Sequence, residues 1–236
     1  MTRNAIVDAL GVLKAGRIVD LTHLVHPGIQ RFGPFPAMRI ETRYTVAESG
    51  FHVDAPEHFV EGRRTLERIE LEELMLPLFV LYFEDKVAAD PEFIVHVDDI
   101  KRWEAEHGEI PADSFVAFSS DWYHRMEGGD MNNFDADGVA HCPGLGLDAL
   151  KYLFEERGVT AVGHETLDTD GSADVRARGF LDCEKYVLES DHYQVEVMAN
   201  LDKLPSTGGV IFVGLPKFDK FPGFPACAWA VVPNED

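Results

Sequence analysis

Apolar runs of strand length, separated by helical segments, constrain the fold of this chain more than any other sequence feature. A continuous apolar run occupies residues 78–83, which is the length of one strand. Residues 5–15, 97–107 and 147–157 have the pattern of helices, and Asp98 is the predicted N-cap of the second. The other strands are predicted at 17–21, 39–46, 51–55, 115–118, 159–162, 194–199, 210–214 and 228–232.

Helices interleave with strands in this order, but several strands follow one another directly. The order therefore predicts an α/β fold with a mixed β-sheet flanked by helices, rather than a purely doubly wound sheet. Of the 236 residues, 45% are hydrophobic, which is enough for one large core. The composition is even, without a linker or an internal repeat, so we expect a single domain over residues 1–236.

The chain is strongly acidic, with 42 Asp and Glu residues, 21 Lys and Arg residues and a formal net charge of −21. Such a surface repels phosphate groups, which argues against nucleic-acid binding and against docking on an anionic membrane. The same field attracts cations. The most apolar run, 74–83, is about half the length of roughly 20 residues that a membrane span needs, and it contains Pro77.

The three cysteines lie far apart, and no Cys-x-x-Cys pair supports a disulfide framework or a cysteine zinc site. The N-terminal segment carries Asp8 within its apolar stretch and has no small-residue cleavage site, which indicates an amphipathic helix and not a signal peptide. We therefore predict a cytoplasmic location. Ser119, Ser120 and Cys142 lack a Gly-x-Ser-x-Gly elbow or a local base, which argues against nucleophilic catalysis.

Residues 48–59 carry the chemistry of this sequence: Glu-Ser-Gly-Phe-His-Val-Asp-Ala-Pro-Glu-His-Phe. Side chains alternate between the two faces of an extended strand. One face is then apolar and consists of Phe51, Val53 and Ala55. The other face carries Glu48, Gly50, His52 and Asp54. Pro56 ends the strand, and His58 follows where the chain can turn back.

An imidazole and carboxylates on one strand face suit a divalent ion such as Zn²⁺ or Mn²⁺. The alternative is a solvated strand face, because His-x-Asp pairs also occur by chance and keep exposed faces soluble. The pattern alone leaves both interpretations open.

This stretch resembles the signature His-x-Gly-Thr-His-x-Asp-x-Pro-x-His of the cyclase family of metal-dependent hydrolases, which includes kynurenine formamidases and isatin hydrolases. The resemblance continues in the segments 20–22, 89–110, 143–159, 163–170 and 196–201. It implies the swivelling β/β/α-like fold of that family. It also implies that His52 and Asp54 are metal ligands, that Glu196 is a third ligand, and that His58 is the catalytic acid/base.

The strand pattern around Glu196 agrees independently, since Val195, Val197 and Ala199 are the apolar face and Gln194 and Glu196 share the other face. A Glu on such a strand is costly unless it is paired or ligating.

The sequence departs from the family signature at several positions. Glu48 stands where the family has its first His, and we expect it to be a further metal ligand. The family's second-metal His aligns with Glu184, which we interpret as an exposed helix residue, so the binuclear arrangement is in doubt. These carboxylates favour Mn²⁺, with Zn²⁺ as the alternative.

The resulting functional hypothesis is the hydrolysis of a small cyclic or aromatic amide, or a lactone, by a metal-activated water. His58 takes the water proton and returns it to the leaving group. Phe32 and Phe35 are the candidates for an apolar wall against a planar small-molecule substrate, with core packing as the alternative role of Phe32. The loops 26–36, 126–143 and 170–178 complete the pocket. The alternatives are a cyclase or dehydratase-type lyase and a non-catalytic metal- or ligand-binding module. The resemblance also implies a homo-oligomer.

Overall fold

An eight-stranded mixed β-sheet forms the centre of the protein. The structure is a computed structural model that describes residues 5–15, 51–126 and 128–233. The strands predicted at 17–21 and 39–46 lie outside these residues, as do Glu48, Phe32 and Phe35.

The helices and strands account for most of the predicted elements. The strands are β1 (His52–Asp54), β2 (Met75–Tyr82), β3 (Ile94–Val95), β4 (Phe115–Ser119), β5 (Gly144–Leu145), β6 (Ala161–His164), β7 (Tyr193–Glu196), β8 (Gly209–Gly214), β9 (Gly223–Pro225) and β10 (Cys227–Val231). The α-helices are α1 (Ala5–Lys14), α2 (Glu84–Ala89), α3 (Val97–His107), α4 (Leu147–Lys151), α5 (Ser172–Arg178) and α6 (Asp182–Glu189). Short 3₁₀ turns span Pro56–His58, Leu66–Arg68, Leu71–Leu74, Trp122–Arg125 and Leu201–Lys203.

The order of the strands in the large sheet is β10-β8-β2-β4-β6-β7-β1-β9. Strands β2, β4, β6 and β7 are parallel to their neighbours within this set, and the remaining pairs are antiparallel. The two outermost strands, β9 and β10, are separated in the chain by Ala226 alone. Since consecutive Cα atoms are about 3.8 Å apart, the sheet must curve until its two ends meet.

Both faces of the sheet are buried, as the alternation along β4 demonstrates. Phe115 and Ala117 belong to a cluster on the inner side of the curved sheet, together with residues of β1, β2, β6, β7 and β8. Val116 and Phe118 point the other way, into a second cluster. That cluster is covered by α2, α3, α4 and α6, so the helices lie on the outer face of the sheet.

The predicted fold class, an α/β fold with a mixed sheet flanked by helices, is confirmed. Helix α3 has the predicted bounds, but Asp98 is not its N-cap. His96 occupies that position, and the Asp99 carboxylate accepts a hydrogen bond from the His96 backbone N–H at 3.0 Å. The helix predicted at 147–157 is α4 followed by a π-helical turn over Tyr152–Glu156. The predicted loop at 170–178 is wrong, because Ser172–Arg178 forms α5.

Candidate metal centre and active site

Strands β1 and β7 bring the predicted ligands together. They pair antiparallel in a register that places His52 opposite Glu196 and Asp54 opposite Gln194. Residues opposite each other in such a pair point to the same face, and so do residues two apart along one strand. All four side chains therefore share one face, on the side opposite the inner cluster that contains Val53.

The spacing of three of these groups fits a single divalent ion. The His52 Nε2 atom lies 3.4 Å from Asp54 Oδ2 and 3.3 Å from Glu196 Oε2. Two ligand atoms at about 2.1 Å from one ion are separated by about 3 to 3.5 Å in tetrahedral or octahedral coordination. The three side chains are also almost completely inaccessible, with at most 3% of each residue exposed.

Charge compensation supports the same interpretation. Two buried carboxylates face one imidazole, and a protonated imidazole neutralises only one of them. In addition, Asp54 Oδ1 is buried without a hydrogen-bond partner among the described residues. Gly223 of β9 lies against this atom, and a Cβ at that position would come within 2.8 Å of Asp54 Oδ1. The donor set therefore fits a divalent cation.

His58 lies next to these ligands in a separate element. The 3₁₀ turn Pro56–His58 follows β1 directly and carries the imidazole back toward Asp54. Asp54, His58 and Glu184 form a second group whose ligand atoms lie within 4.8 Å of one another, and Asp54 belongs to both groups. The His58 side chain is 19% exposed, which makes it more accessible than His52, Asp54 or Glu196.

The interpretation of Glu184 as an exposed helix residue is wrong. Glu184 does lie in a helix, α6, but only 3% of it is exposed, and its Oε1 atom is 3.9 Å from His58 Nε2. Helix α6 is fixed at its start by the Asp170 carboxylate, which accepts hydrogen bonds from the backbone N–H groups of Cys183 and Glu184 at 2.9 Å each. Tertiary packing of α6 on the turn Pro56–His58 buries Glu184.

Sequence reasoning did not identify the polar side chains around the ligands. Gln194 donates through Nε2 to Glu196 Oε1 at 2.8 Å and to Asp54 Oδ2 at 3.3 Å. Thr169 and His164 extend this network further. The strand alternation that placed Gln194 and Glu196 on one face was the available signal for Gln194. Burial lowers the pKa of His164 to about 4, which keeps this imidazole neutral near pH 7.

The backbone directly after Glu196 is strained. Val197 has a φ of 55°, which is exceptional for a β-branched residue. Its N–H donates to the Thr166 carbonyl at 3.2 Å, and the next N–H, of Met198, donates to the His164 carbonyl at 2.9 Å. The chain therefore leaves the sheet immediately after Glu196, so Glu196 is the last residue of β7 rather than a mid-strand residue.

The candidate nucleophiles have structural partners. Ser119 donates to Glu84 at 2.5 Å, and Ser120 donates to Glu165 at 3.0 Å. Burial raises the pKa of the Cys142 thiol to about 11, so a thiolate is disfavoured at neutral pH.

Comparisons with known proteins identify the family and the fold of this chain. The Cyclase family model matches residues 19–171. An isatin hydrolase from Roseibium aggregatum is 32% identical over 191 residues, covering 79% of this chain and 72% of that protein. Two solved structures, each 27% identical, also match. One is isatin hydrolase A from Ralstonia solanacearum, with a TM-score of 0.75 and 99% of each chain covered. The other is an isatin hydrolase bound to the product analogue thioisatinate, with a TM-score of 0.74 and coverage of 99% of this chain and 100% of that chain.

The family match and the fold thus place this chain among the metal-dependent hydrolases. The chain belongs to the cyclase family, as its sequence predicted. Within the described ranges, no helix is both long and apolar enough to cross a membrane.

Proposed function

We propose that this protein hydrolyses the C–N bond of a small cyclic amide fused to or carrying an aromatic ring. The observation that carries this proposal is the buried group of His52, Asp54 and Glu196, whose ligand atoms lie 3.3 and 3.4 Å apart as one divalent ion requires. The relatives named above are isatin hydrolases, and a product analogue occupies one of them, which supports a cyclic amide as the substrate class.

His52, Asp54 and Glu196 would hold the cation, and Glu48 is proposed as a further ligand. We propose Mn²⁺ over Zn²⁺, because oxygen donors outnumber nitrogen donors in this set. When bound, the ion supplies Lewis acidity that polarises the amide carbonyl and lowers the pKa of a water. Removing the ion would leave two buried carboxylates facing each other across His52.

His58 is the proposed general acid/base. Its Nε2 atom takes a proton from the attacking water as the water oxygen bonds to the carbonyl carbon. It then gives this proton to the leaving nitrogen as the C–N bond breaks, so that the ring opens into one molecule that carries a carboxylate and an amine. Glu184, 3.9 Å away, attracts the positive charge that His58 carries between these steps.

The remaining parts of the proposal lie outside the described residues or concern the whole chain. Phe32 and Phe35 would form the apolar wall for the planar substrate. Residues 1–236 would form one domain, which is supported by structural relatives that cover 97% to 99% of the chain. Homo-oligomerisation and a cytoplasmic location stay predictions.

A lyase reaction remains as the second candidate, since His58 could instead abstract a proton next to a polarised carbonyl. Product analysis in ¹⁸O-labelled water separates the two reactions. The Mn²⁺-loaded protein is incubated with cyclic amides, aryl formamides and lactones, and the products are examined by mass spectrometry. Hydrolysis predicts one solvent oxygen in the carboxylate of each product.

Product without solvent oxygen would contradict the hydrolase proposal and support the lyase. Tight Mn²⁺ binding without turnover on any member of the panel would support a non-catalytic binding module instead. The His58→Ala variant serves as the matched control, because it keeps the proposed ligands and lacks the proposed base.

A further inference from the structure

A chain of hydrogen bonds leads from the site to Thr169. The Thr169 Oγ1 atom lies 2.7 Å from Gln194 Oε1 and 2.9 Å from His164 Nε2. The amide nitrogen of the same Gln194 side chain lies 2.8 Å from Glu196 Oε1 and 3.3 Å from Asp54 Oδ2. Every one of these side chains is buried, with at most 3% of the residue exposed.

Counting hydrogen atoms fixes the direction of each bond. Ionised Asp54 and Glu196 only accept, so the Gln194 amide must direct its two N–H donors toward them. Its oxygen then faces Thr169, which has a single hydroxyl hydrogen and donates it to that oxygen. Consequently His164 must donate from Nε2 to the Thr169 oxygen. In the neutral imidazole Nδ1 then carries no hydrogen and accepts from the Thr166 hydroxyl, 3.0 Å away.

We propose that Thr169 is a positioning residue for the metal-binding carboxylates and acts through Gln194. The threonine hydroxyl holds the amide in the orientation that presents both N–H donors, one to each carboxylate. Asp54 and Glu196 are then aligned toward His52 before an ion binds. This inference rests on the proposed metal site.

Loss of the hydroxyl has a specific consequence in this geometry. In Thr169→Val the shape is nearly unchanged, but Gln194 Oε1 loses its donor and His164 Nε2 loses its acceptor. The Gln194 amide is then free to turn its oxygen toward the two carboxylates, which repel it. Loss of a side chain that hydrogen-bonds a metal ligand, as Gln194 does for Asp54 and Glu196, typically weakens metal binding by about 10- to 100-fold. Thr169→Val disturbs the ligands through this same side chain.

The test measures Mn²⁺ affinity directly by the electron paramagnetic resonance signal of the free ion, so it does not depend on turnover. The parent is compared with Thr169→Val and with Thr169→Ser, which restores the hydroxyl. Thr65→Val is the matched control, because Thr65 is also buried and its hydroxyl donates to a carboxylate, that of Glu67 at 2.6 Å. Thermal unfolding of the metal-free proteins is recorded for each variant.

We expect the Mn²⁺ dissociation constant to rise about 10- to 100-fold in Thr169→Val, to stay within threefold of the parent in Thr169→Ser, and to be unchanged in Thr65→Val. An affinity within threefold of the parent in Thr169→Val would overturn the inference. If this variant does not fold, Thr169→Ala is evaluated by the same criterion.

Failure of the proposed function has a different signature. In that case the parent itself does not bind Mn²⁺, or it binds no more tightly than His52→Ala. Either result removes the metal site and the positioning role with it, whereas failure of the inference alone leaves tight binding by the parent intact.

Discussion

Glu165 is a buried carboxyl group in the residue that directly follows β6. Its Oε2 atom accepts hydrogen bonds from the backbone N–H groups of Ser120 and Trp122 at 2.9 and 3.0 Å. The other oxygen, Oε1, is buried without a hydrogen-bond partner among the described residues. Burial raises the pKa of Glu165 from 4.5 to about 7 despite those hydrogen bonds.

This pKa predicts how stability depends on pH. Between about pH 4.5 and 7 the folded protein keeps the Glu165 proton that the unfolded chain has released, so the free energy of unfolding falls as pH rises through this window. The contribution is complete below pH 4.5 and lost above pH 7. Since one pKa unit corresponds to about 1.4 kcal/mol, the loss amounts to about 3 kcal/mol.

Glu165→Gln removes the titrating group and should flatten this part of the pH profile. The free energy of unfolding of parent and variant is measured by urea denaturation at pH 4.5 and pH 8. The other titrating groups contribute equally to both proteins, so subtracting one pH-dependent change from the other leaves the contribution of Glu165. An equal change in both proteins would show that Glu165 does not carry a raised pKa.

Individual site residues differ in how well the sequence predicted them. His52 and Asp54 follow from strand alternation, because residues two apart on a strand must share a face. The position of Glu184 does not follow from a local pattern. Its burial depends on the packing of α6 against the turn Pro56–His58, and these two elements are far apart in the chain. The role of Thr169 likewise depends on a network across β6, β7 and the loop between β6 and α5.

Helix α6 is the element that positions Glu184, and Asp170 fixes its first turn. The Asp170 carboxylate accepts the backbone N–H groups of Cys183 and Glu184 while only 3% of the residue is exposed. Backbone N–H groups at the start of a helix have no partners within the helix. Asp170 therefore supplies the acceptor that this buried helix end needs.

Asp170→Ala leaves these buried N–H groups without an acceptor and should lower the free energy of unfolding by about 1 to 3 kcal/mol. Asp170→Asn keeps one carbonyl acceptor and should lose less. Urea denaturation of both variants at pH 7 measures the difference. Equal losses in the two variants would indicate that charge, rather than hydrogen bonding at the helix end, accounts for the effect.

Strand β7 illustrates a limit of sequence patterns at the level of an element. The alternation of Val195, Val197 and Ala199 predicted a strand to residue 199, yet β7 ends at Glu196. Valine favours strands, so the sequence predicts extended backbone at Val197, whereas the structure has a left-handed conformation there. Hydrogen bonds of the following backbone to the Thr166 and His164 carbonyls fix that conformation, and they involve the end of β6 and the segment after it rather than the local sequence.

At the scale of the whole molecule, the predicted mixed sheet was correct but its closure was not foreseen. Alternating apolar residues indicate which side of each strand is buried, and they do not indicate that β9 and β10 lie at opposite ends of one sheet. The one-residue connection through Ala226 implies that the two ends of the sheet meet, but only once the pairing of each strand is known.

The proposed metal site joins the neighbouring strands β1 and β7, which are far apart in the chain, so metal binding should stabilise the entire fold. At a Mn²⁺ concentration of about 100 times its dissociation constant, binding to the folded state adds about 2.7 kcal/mol. For a chain of this size, chelation should therefore lower the melting temperature by about 5 to 10 °C. Differential scanning calorimetry with and without chelator measures the shift.

His52→Ala is the control for this prediction, because its melting temperature should not respond to Mn²⁺ or chelator. A parent melting temperature that is equally insensitive would contradict a metal site within the folded core.

The central claim is that His52, Asp54 and Glu196 hold a metal ion while His58 moves the proton. Metal content and turnover measured on the same preparations of parent, His52→Ala and His58→Ala test it most directly. We predict that His52→Ala loses the metal, whereas His58→Ala retains it and turns over about 10²- to 10⁴-fold more slowly. Undiminished metal in His52→Ala, or turnover of His58→Ala within a few-fold of the parent, would contradict the account.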